Sequence, residues 1–305
     1  MAKIEITILG TTAGIPTRER THPAIYLSYE GRNEFCYLFD CGEGTQRQML
    51  FANLNPMKLN EIFITHWHGD HCLGLPGLLD TMNFENREKT LTIYAPGVKK
   101  LTNLLNSGYP SKRFKIILKN APTEGSEITD LLETDNFKIV STPAEHGVPA
   151  VSYGLIEKDR IKIDKEKAKK LGLPAQGLIY KEIKEKGRAI FKGKEILLKD
   201  VSLTKKGKKI VYSGDTKICD NLIKLAQGAD LLIQDCTYFD SKESKEYENK
   251  HATLQNIIEM LKQIEVREVI LTHISRRYRD PNELREKIKD YPNLKIAKDF
   301  MKIKL

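Results

Sequence analysis

Directly after the mainly apolar residues 61–65, the chain reads His66-Trp67-His68-Gly69-Asp70-His71. Side chains alternate in direction along a β-strand, so His66 and His68 are expected to project the same way as the strand ends. Gly69 would then let the chain turn, so that Asp70 and His71 reach back toward a second ion. Imidazole and carboxylate groups are the ligands that suit zinc and related divalent ions. The spacing therefore predicts two adjacent metal ions at the end of a strand.

Further ligand-type side chains occur later in the sequence as isolated positions: His146, Asp215, His251 and His273. Of the seven histidines, His22 alone lies outside the candidate site. A carboxylate such as Asp215 can bridge two ions, and two ions ~3.5–4 Å apart can clamp the attacking and leaving oxygens of a phosphodiester. A core or surface position is the simpler interpretation of any single histidine. The four ligand-type residues within six positions nevertheless favour a two-metal hydrolase.

The net charge of +9 is concentrated in one segment of the chain. Residues 158–209 contain 18 Lys and Arg against 7 Asp and Glu, so the remainder of the chain is close to neutral. An almost neutral body with one strongly basic segment is typical of a protein that binds a polyanion. The segment has few contiguous apolar residues, so we expect it to bury little core. A solvated insertion without function is the alternative, but its position between two halves of a metal site favours a functional role.

The length of 305 residues suits one large α/β domain or two ordinary ones. There is no run of 18 apolar residues, and the first ten residues alternate like a strand and contain no secretory signal. We therefore expect a cytoplasmic protein without a membrane span. The five cysteines lack CxxC spacing and are expected to be small buried hydrophobes.

Hydrophobic periodicity predicts an alternation of strands and helices. Strands are expected at residues 3–9, 24–29, 34–40, 61–65, 91–94, 114–118, 137–141, 151–156, 209–213, 230–234 and 268–272. Helices are expected at residues 45–51, 75–84, 165–171, 179–186, 221–226, 253–264 and 281–289. Candidate ligands recur at the carboxyl ends of strands in both halves of the chain. We therefore expect an α/β fold in which two sheets pack as a sandwich, with helices outside and the site along one edge.

The order of the ligand-type residues resembles the metallo-β-lactamase superfamily and its H-x-H-x-D-H signature. That resemblance implies a four-layer αβ/βα sandwich, but superfamily membership alone fixes no substrate. Shorter motifs are similar to those of the tRNase Z family of tRNA 3′-processing endonucleases. They lie at residues 9–16 (LGTTAGIP), 39–48 (FDCGEGTQRQ), 70–77 (DHCLGLPG), 212–216 (YSGDT), 251–253 (HAT) and 271–275 (LTHIS). Together they extend the resemblance over nearly the whole chain.

The resemblance implies seven metal ligands divided between two divalent ions, zinc or alternatively manganese. The first ion would be bound by His66, His68 and His146, the second by Asp70, His71 and His273, and both by Asp215. Asp70 would also orient or deprotonate the attacking water, and His251 would donate a proton to the leaving oxygen. Asp235 would hold His251, in place of the glutamate that many relatives carry in a His-Glu-Ala-Thr run.

The resemblance also assigns a role to the basic segment. Residues 158–209, inserted within a single domain spanning 1–305, would form a protruding basic arm, a flexible exosite that grips precursor tRNA. The family's Gly-Pro motif falls at Gly177-Leu178, so leucine stands where the family has proline. Members form homodimers in which the arm of one subunit serves the active site of the other, and a homodimer is therefore expected.

Two other interpretations stay open on the sequence. A metallohydrolase of a small substrate, such as a phosphodiesterase or a glyoxalase-type thioesterase, would keep the metal site but leave the basic segment without a purpose. A non-catalytic RNA-binding module on a decayed hydrolase fold would explain the charge, but the intact set of ligands argues against decay. The sequence favours an endoribonuclease that removes the 3′ trailer from precursor tRNA, leaving a tRNA 3′-hydroxyl and a 5′-phosphorylated trailer.

Overall fold

The computed structural model describes residues 3–98, 102, 104–105, 113–240 and 250–305. The strands are, in chain order, β1 (Lys3–Gly10), β2 (Thr12–Ala13), β3 (Ala24–Glu30), β4 (Glu34–Phe39), β5 (Glu61–Phe63), β6 (Leu91–Ala95), β7 (Ile116–Asn120), β8 (Thr129–Glu133), β9 (Phe137–Ala144), β10 (Ala150–Glu157), β11 (Arg160–Ile163), β12 (Arg188–Phe191), β13 (Lys194–Leu197), β14 (Ser202–Lys205), β15 (Lys209–Tyr212), β16 (Leu231–Asp235), β17 (Val269–Thr272), β18 (Ile274–Ser275), β19 (Leu294–Ile296) and β20 (Met301–Lys304). The helices are α1 (Thr45–Phe51), α2 (Gly69–Cys72), α3 (Leu75–Phe84), α4 (Lys165–Lys170), α5 (Ile179–Lys186), α6 (Leu198–Val201), α7 (Asp220–Ala226), α8 (Leu254–Leu261) and α9 (Pro281–Ile288).

Two seven-stranded sheets contain most of the strands in the part of the chain that the structure describes. The first sheet has the order β20-β1-β3-β4-β5-β6-β7, and the second has the order β19-β17-β16-β15-β10-β9-β8. In the first sheet β20, β1, β3 and β4 are antiparallel, whereas β4 to β7 are parallel. In the second sheet β15, β16, β17 and β19 are parallel. The expected α/β fold with two sheets is confirmed.

Aromatic side chains pack between the two sheets. The ring of Tyr153 in the second sheet lies 5.9 Å from the ring of Phe39 and 5.4 Å from that of Phe63, both in the first sheet. Tyr212 in the second sheet also contacts Phe39, at 6.4 Å between ring centroids. Burial of a side chain of this size contributes ~1.5–3 kcal/mol, so this contact layer holds the sheets face to face.

Helix α3 covers the outer face of the first sheet. Its apolar residues Leu75, Leu78, Leu79 and Met82 recur at helical spacing and are fully buried. They belong to one core cluster with residues of β4, β5 and β6. Pro76 lies in the first turn of the helix, where no intrahelical N–H bond is lost. Because both faces of the sheet are buried, its central strands are apolar on both sides.

Several predicted elements differ in extent from the structure. The predicted strand 61–65 ends at Phe63, because the next backbone groups bond elsewhere: the Thr65 amide donates to the Asp40 carboxyl group at 2.8 Å. The predicted strand 114–118 is observed at Ile116–Asn120, and the predicted helix 253–264 ends at Leu261. The short edge strands β8, β19 and β20 were not predicted, although Met301–Lys304 alternates between apolar and charged residues.

The basic segment belongs to a second compact unit, formed by Thr134–Phe137 and Ile156–Lys208. In it β11 pairs with β14, and β12 pairs with β13. We expected this segment to bury little core, but it contains a small apolar cluster of its own. That cluster contains Ala168, Leu173, Ile183, Ala189, Ile196 and Val201. Leu178, at the position of the family's proline, is 85% exposed and immediately precedes α5.

No helix among the described residues is long and apolar enough to cross a membrane. The five cysteines, all of them within the described ranges, are buried and form no disulfide.

The carboxyl group of Glu61, at the start of β5, is expected to make stability depend on pH. Burial raises the pKa of Glu61 to about 7, against the charges of Lys89, Lys119 and Arg87, which lower it. Below about pH 4.5 the raised pKa does not change the free energy of unfolding, because Glu61 is protonated in both the folded and the unfolded chain. As the pH rises from there to about 7, the raised pKa lowers the free energy of unfolding progressively.

Replacement Glu61→Gln is therefore expected to raise the free energy of unfolding at pH 8 by on the order of 1–2 kcal/mol, allowing for partial exposure. At pH 4.5 the gain should vanish. Urea unfolding at the two pH values measures the difference, with the exposed Glu88→Gln as control. An equal effect of Glu61→Gln at both pH values would contradict the assignment.

Candidate metal centre

Strand carboxyl ends from both sheets meet at the candidate site. In the first sheet, Asp40 follows β4 and His66 lies shortly after β5. In the second sheet, Asp215 follows β15, Asp235 ends β16 and His273 follows β17. Parallel strands end on the same edge of their sheet, so polar side chains that follow them converge there. The predicted position of the site, along one edge of the sandwich, agrees with this arrangement.

The local conformation of the His66–His71 stretch differs from the expected strand end. His66 and His68 lie in the connection after β5, and His68 precedes the short helix α2. Gly69 is the first residue of that helix and is not among the residues with positive φ, so the chain turns here by a helical turn. The turn brings Asp70 and His71 to the same side as the two preceding histidines.

The loop after β4 fixes the position of this helical turn. The Cys41 amide donates to the His71 carbonyl at 2.8 Å, and the Gly74 amide donates to the Cys41 carbonyl at 2.9 Å. Gly42 lies so close to this segment that a Cβ there would stand 2.2 Å from the Asp70 carbonyl oxygen. Any larger residue at position 42 would therefore displace Asp70.

Three imidazoles converge at the first ligand group. His68 Nδ1 lies 3.0 Å from His66 Nε2 and 3.1 Å from His146 Nε2. A carboxylate oxygen of Asp215 completes this group, with all four ligand atoms within 4.8 Å of one another. The group contains the three histidines predicted for the first ion, together with the predicted bridging carboxylate.

The second ligand group is formed by Asp70, His71, His273 and again Asp215. The two oxygens of Asp215 lie 3.2 Å from His71 Nε2 and 3.2 Å from His273 Nε2. Asp70 Oδ2 lies 3.5 Å from His71 Nε2 and 3.4 Å from His273 Nε2. Asp215 is thus shared between the two groups.

Two buried atoms in these groups test whether the site suits cations. His71 Nε2 and Asp215 Oδ1 are buried; they lie 3.2 Å apart without forming a hydrogen bond, and neither has another hydrogen-bond partner among the described residues. Leaving a buried polar atom unsatisfied costs about 1–3 kcal/mol, more if the group is charged. Both atoms face the shared centre, where a divalent cation would coordinate them. Five imidazoles and two carboxylates are a donor set that zinc accepts, so the residues fit two divalent ions.

The remaining ring nitrogens of the ligand histidines are held by other groups. His71 Nδ1 lies 2.7 Å from Asp40 Oδ2, and His66 Nδ1 lies 3.0 Å from Thr65 Oγ1. His273 Nδ1 contacts Thr237 Oγ1 at 2.9 Å, and His146 Nδ1 contacts the Lys250 carbonyl at 2.9 Å. Such partners fix the orientation of the ring and direct the other nitrogen, Nε2, toward the ligand group, where an ion would bind.

Asp40 is a site residue that the sequence analysis did not identify as one. Its carboxyl group accepts hydrogen bonds from the Thr65 amide and hydroxyl and from the Tyr212 hydroxyl, and it contacts His71. Asp40 has a φ of 57° and His273 a φ of 56°, a left-handed conformation that is uncommon outside glycine. Such backbone conformations concentrate at functional sites. No periodicity or spacing in the sequence signals them.

His251 and Asp235 form a pair beside the second ligand group. His251 Nδ1 lies 2.8 Å from Asp235 Oδ2. The other contacts of Asp235 are donors: the Thr216 amide, the Thr237 amide and the Thr237 hydroxyl. Asp235 could join His251, His273 and Asp215 in a third ligand combination. Both oxygens of Asp235 therefore already accept hydrogen bonds, and Oδ2 is in contact with the ring of His251.

Charges in the site shift the pKa of Asp215 toward its ionised form and the pKa of His251 toward its protonated form. Burial would raise the pKa of Asp215, but the neighbouring imidazoles of His273 and His71 outweigh burial and hold it well below its usual range. Burial would lower the pKa of His251, but the adjacent Asp235 carboxylate outweighs burial and raises it.

A cavity of about 360 Å³ opens over the two ligand groups. Its lining includes His68, Asp70, Asp215, His251 and His273. The rest of the lining comes from two loops, at residues 13–15 and 275–277, and from Thr237 and Tyr238. A phosphodiester in this cavity would therefore contact both ligand groups and His251.

His22, the histidine expected to lie outside the ligand set, contacts the Gly14 carbonyl at 3.2 Å through Nε2. The Gly14 amide in turn donates to Asp70 Oδ2 at 3.0 Å. His22 therefore supports the loop that holds a ligand and belongs to neither ligand group.

Two family models match parts of the sequence. One, described as "Anti-Pycsar protein Apyc1", matches residues 4–176. The other, described as "Beta-lactamase superfamily domain", matches residues 193–274. The second match covers Asp215 and His273 and agrees with the resemblance to the metallo-β-lactamase superfamily.

Relatives match the chain over almost its full length. A protein of Methanothermobacter thermautotrophicus named Ribonuclease Z is 38% identical over 309 residues, covering 99% of this chain and 97% of that protein. A Pyrococcus abyssi protein of the same name is 40% identical over 304 residues, covering 98% and 95%. The crystal structure of human tRNase Z, short form, aligns with a TM-score of 0.67 and 27% identity over 98% of each chain.

Asp40→Asn is expected to weaken metal binding about 10–100-fold, as found for partners that orient a ligating histidine. The amide can no longer accept from Tyr212, Thr65 and His71 together, so the ring of His71 loses its fixed orientation. Competition with a chromogenic chelator measures the affinity for zinc. Tyr212→Phe, which removes one of these donors, should weaken binding less. Unchanged zinc affinity in Asp40→Asn would show that Asp40 does not orient His71.

Proposed function

The chain belongs to the ribonuclease Z family and is an endoribonuclease that removes the 3′ trailer from precursor tRNA, and we propose that it acts by two-metal hydrolysis of a phosphodiester. The products would be a tRNA ending in a 3′-hydroxyl and a trailer with a 5′-phosphate. The observation that carries the mechanism is the pair of ligand groups that share Asp215 on the floor of one cavity.

Zinc is the proposed metal, with two ions per chain. His66, His68 and His146 would hold one ion and Asp70, His71 and His273 the other, with Asp215 shared. Divalent ions in such a site lower the pKa of water to about 7 and offset negative charge on phosphoryl oxygens. The composition of the two groups supports this assignment, since both present mainly imidazole nitrogens with a carboxylate.

The chain's own residues would position the reactants. Asp70, held by the Gly14 amide and directed into the cavity, would orient the attacking water or accept its proton. His251 would donate a proton to the leaving 3′-oxygen from Nε2, because Asp235 holds Nδ1. An imidazole has an unperturbed pKa near 6.5 and so can exchange a proton in the neutral range.

The second compact unit would serve as the exosite for tRNA. Residues 158–209 carry 18 Lys and Arg, and their apolar cluster gives those charges a folded support. We further propose that the protein is a homodimer, with the arm of each subunit gripping the tRNA that is cleaved in the other. Mixing an arm-deleted chain with a His251→Ala chain tests this: cleavage by the mixture but by neither variant alone supports the exchange of arms.

The purified protein with added zinc or manganese is expected to cut a 5′-labelled precursor tRNA once, directly after the discriminator nucleotide. Glu157 and Lys208 are joined by a backbone hydrogen bond of 2.8 Å, so a short Gly-Ser linker can replace residues 158–207. That deletion should abolish cleavage of precursor tRNA and leave hydrolysis of a small phosphodiester intact. Rapid hydrolysis of a small phosphodiester or thioester by the full chain, without any cleavage of precursor tRNA, would refute the assignment.

His251→Ala is expected to lower kcat by about 10²–10⁴-fold, the range for loss of a general acid. Its zinc content and its affinity for precursor tRNA should stay at wild-type values. Elemental analysis, filter binding and single-turnover cleavage provide the three readouts. Asp235→Asn should show a smaller loss of kcat, since it keeps the imidazole. Loss of zinc from His251→Ala would instead identify His251 as a ligand.

A further inference from the structure

A second cavity, of about 710 Å³, lies beside the active-site cavity and carries an excess of basic side chains. Six basic side chains line it, against the two carboxyl groups of Glu19 and Asp299. The basic residues are Arg18, Arg20, Arg276, Arg279, Arg285 and Lys298. We call this cavity the basic cleft. It belongs to the main unit of the chain and is separate from the basic segment at residues 158–209.

Some of these charges are used within the fold and others are not. Arg20 donates to the Thr11 hydroxyl at 2.7 Å and to the Ala297 carbonyl at 2.8 Å. The Asp299 oxygens accept from the Thr11 hydroxyl, the Thr21 amide and hydroxyl and the Gln48 amide group. Asp299 is therefore held within the fold, and the six basic side chains of the cleft still outnumber its two carboxyl groups.

Arg18, Arg279 and Lys298 are exposed and form no ion pair with any described residue. Like charges that line one cleft without partners repel one another, which lowers stability unless a ligand offsets them. The cleft therefore has the charge of a site for a polyanion.

The basic cleft continues from the active-site cavity along two loops. Gly14 and Ile15 line the active-site cavity, and the next residues, Pro16 to Arg20, line the cleft. On the other loop, Arg276 lines both cavities, and Arg279 follows in the cleft. A strand whose scissile phosphate lies over the ligand groups can therefore pass into the cleft without a break.

We propose that the basic cleft binds the 3′ trailer of precursor tRNA as a single strand, through contacts of its phosphates with Arg18, Arg279 and Lys298. This inference rests on the proposed function, since it concerns the same substrate. A single strand is bound by a positively charged groove that follows the backbone, with apolar surfaces against the bases. Pro16, Pro281 and Ile296 provide such surfaces in the cleft.

A triple variant, Arg18→Ala with Arg279→Ala and Lys298→Ala, tests the inference. The charge-matched control replaces Lys262, Lys302 and Lys304, which are exposed and do not line the cleft. The probe is a 3′-labelled, 5′-phosphorylated hexauridylate, followed by fluorescence anisotropy with the zinc-loaded protein. Each phosphate contact contributes about −0.7 to the slope of log affinity against log salt concentration for a single strand. The slope of the triple variant should therefore be less steep than that of the wild type by about 2. Between 50 and 200 mM salt, wild-type affinity should therefore fall ~20-fold more than that of the triple variant.

Cleavage of two precursors, with trailers of one and eight nucleotides, gives the second readout. In the wild type and the control, the longer trailer should lower KM. In the triple variant this advantage should disappear, while kcat and KM for the one-nucleotide trailer stay unchanged, which also shows that the variant is folded. An equal loss for both precursors would assign the cleft to the acceptor stem and overturn the proposal, as would triple-variant binding of hexauridylate equal to that of the control. If the wild type binds hexauridylate through these residues but cleaves no precursor, the proposed function fails and the single-strand site stands.

Discussion

The carboxyl group of Asp40 is the constraint on which the centre of the molecule depends. It follows β4 of the first sheet, accepts from Tyr212 at the end of β15 in the second sheet, and contacts the ligand His71. It also accepts from the amide and hydroxyl of Thr65, where strand β5 has already ended. A buried carboxyl group is stable only where donors satisfy it. The same contacts that satisfy Asp40 therefore join two sheets and orient His71, a proposed metal ligand.

Much of the site could be predicted from the sequence because ligand chemistry is carried by residue type and spacing. The stretch from His66 to His71 indicates two ions without knowledge of the fold, and the later ligands follow strands whose periodicity is visible. The helices at residues 45–51 and 75–84 begin and end where their patterns predict. In these regions local sequence and tertiary environment favour the same structure.

What the sequence could not predict depends on contacts between distant residues. Asp40 acts on residues that lie 25, 31 and 172 positions away, so no local pattern identifies it. Gly69 was expected to let the chain turn after the end of a strand, but the turn is a helical one that hydrogen bonds of the neighbouring Cys41 loop hold in place. The core of the second unit is assembled from single apolar residues far apart in sequence, such as Ala168, Ile183 and Val201. The charged residues around each of them form no local pattern that would identify it as a core residue.

The two-residue parallel pair of β2 and β18 has a thermodynamic consequence. It joins Thr12 to Ile274 and Ala13 to Ser275, directly between the ligand His273 and the loops that line the active-site cavity. A substrate that orders these loops also orders the backbone of His273, and an ion bound by His273 orders the loops. Thermodynamic linkage then requires that substrate raises the affinity for the metal by the same factor by which the metal raises the affinity for substrate. If substrate orders these loops, the affinity of the proposed metal site would be higher with substrate bound than without it.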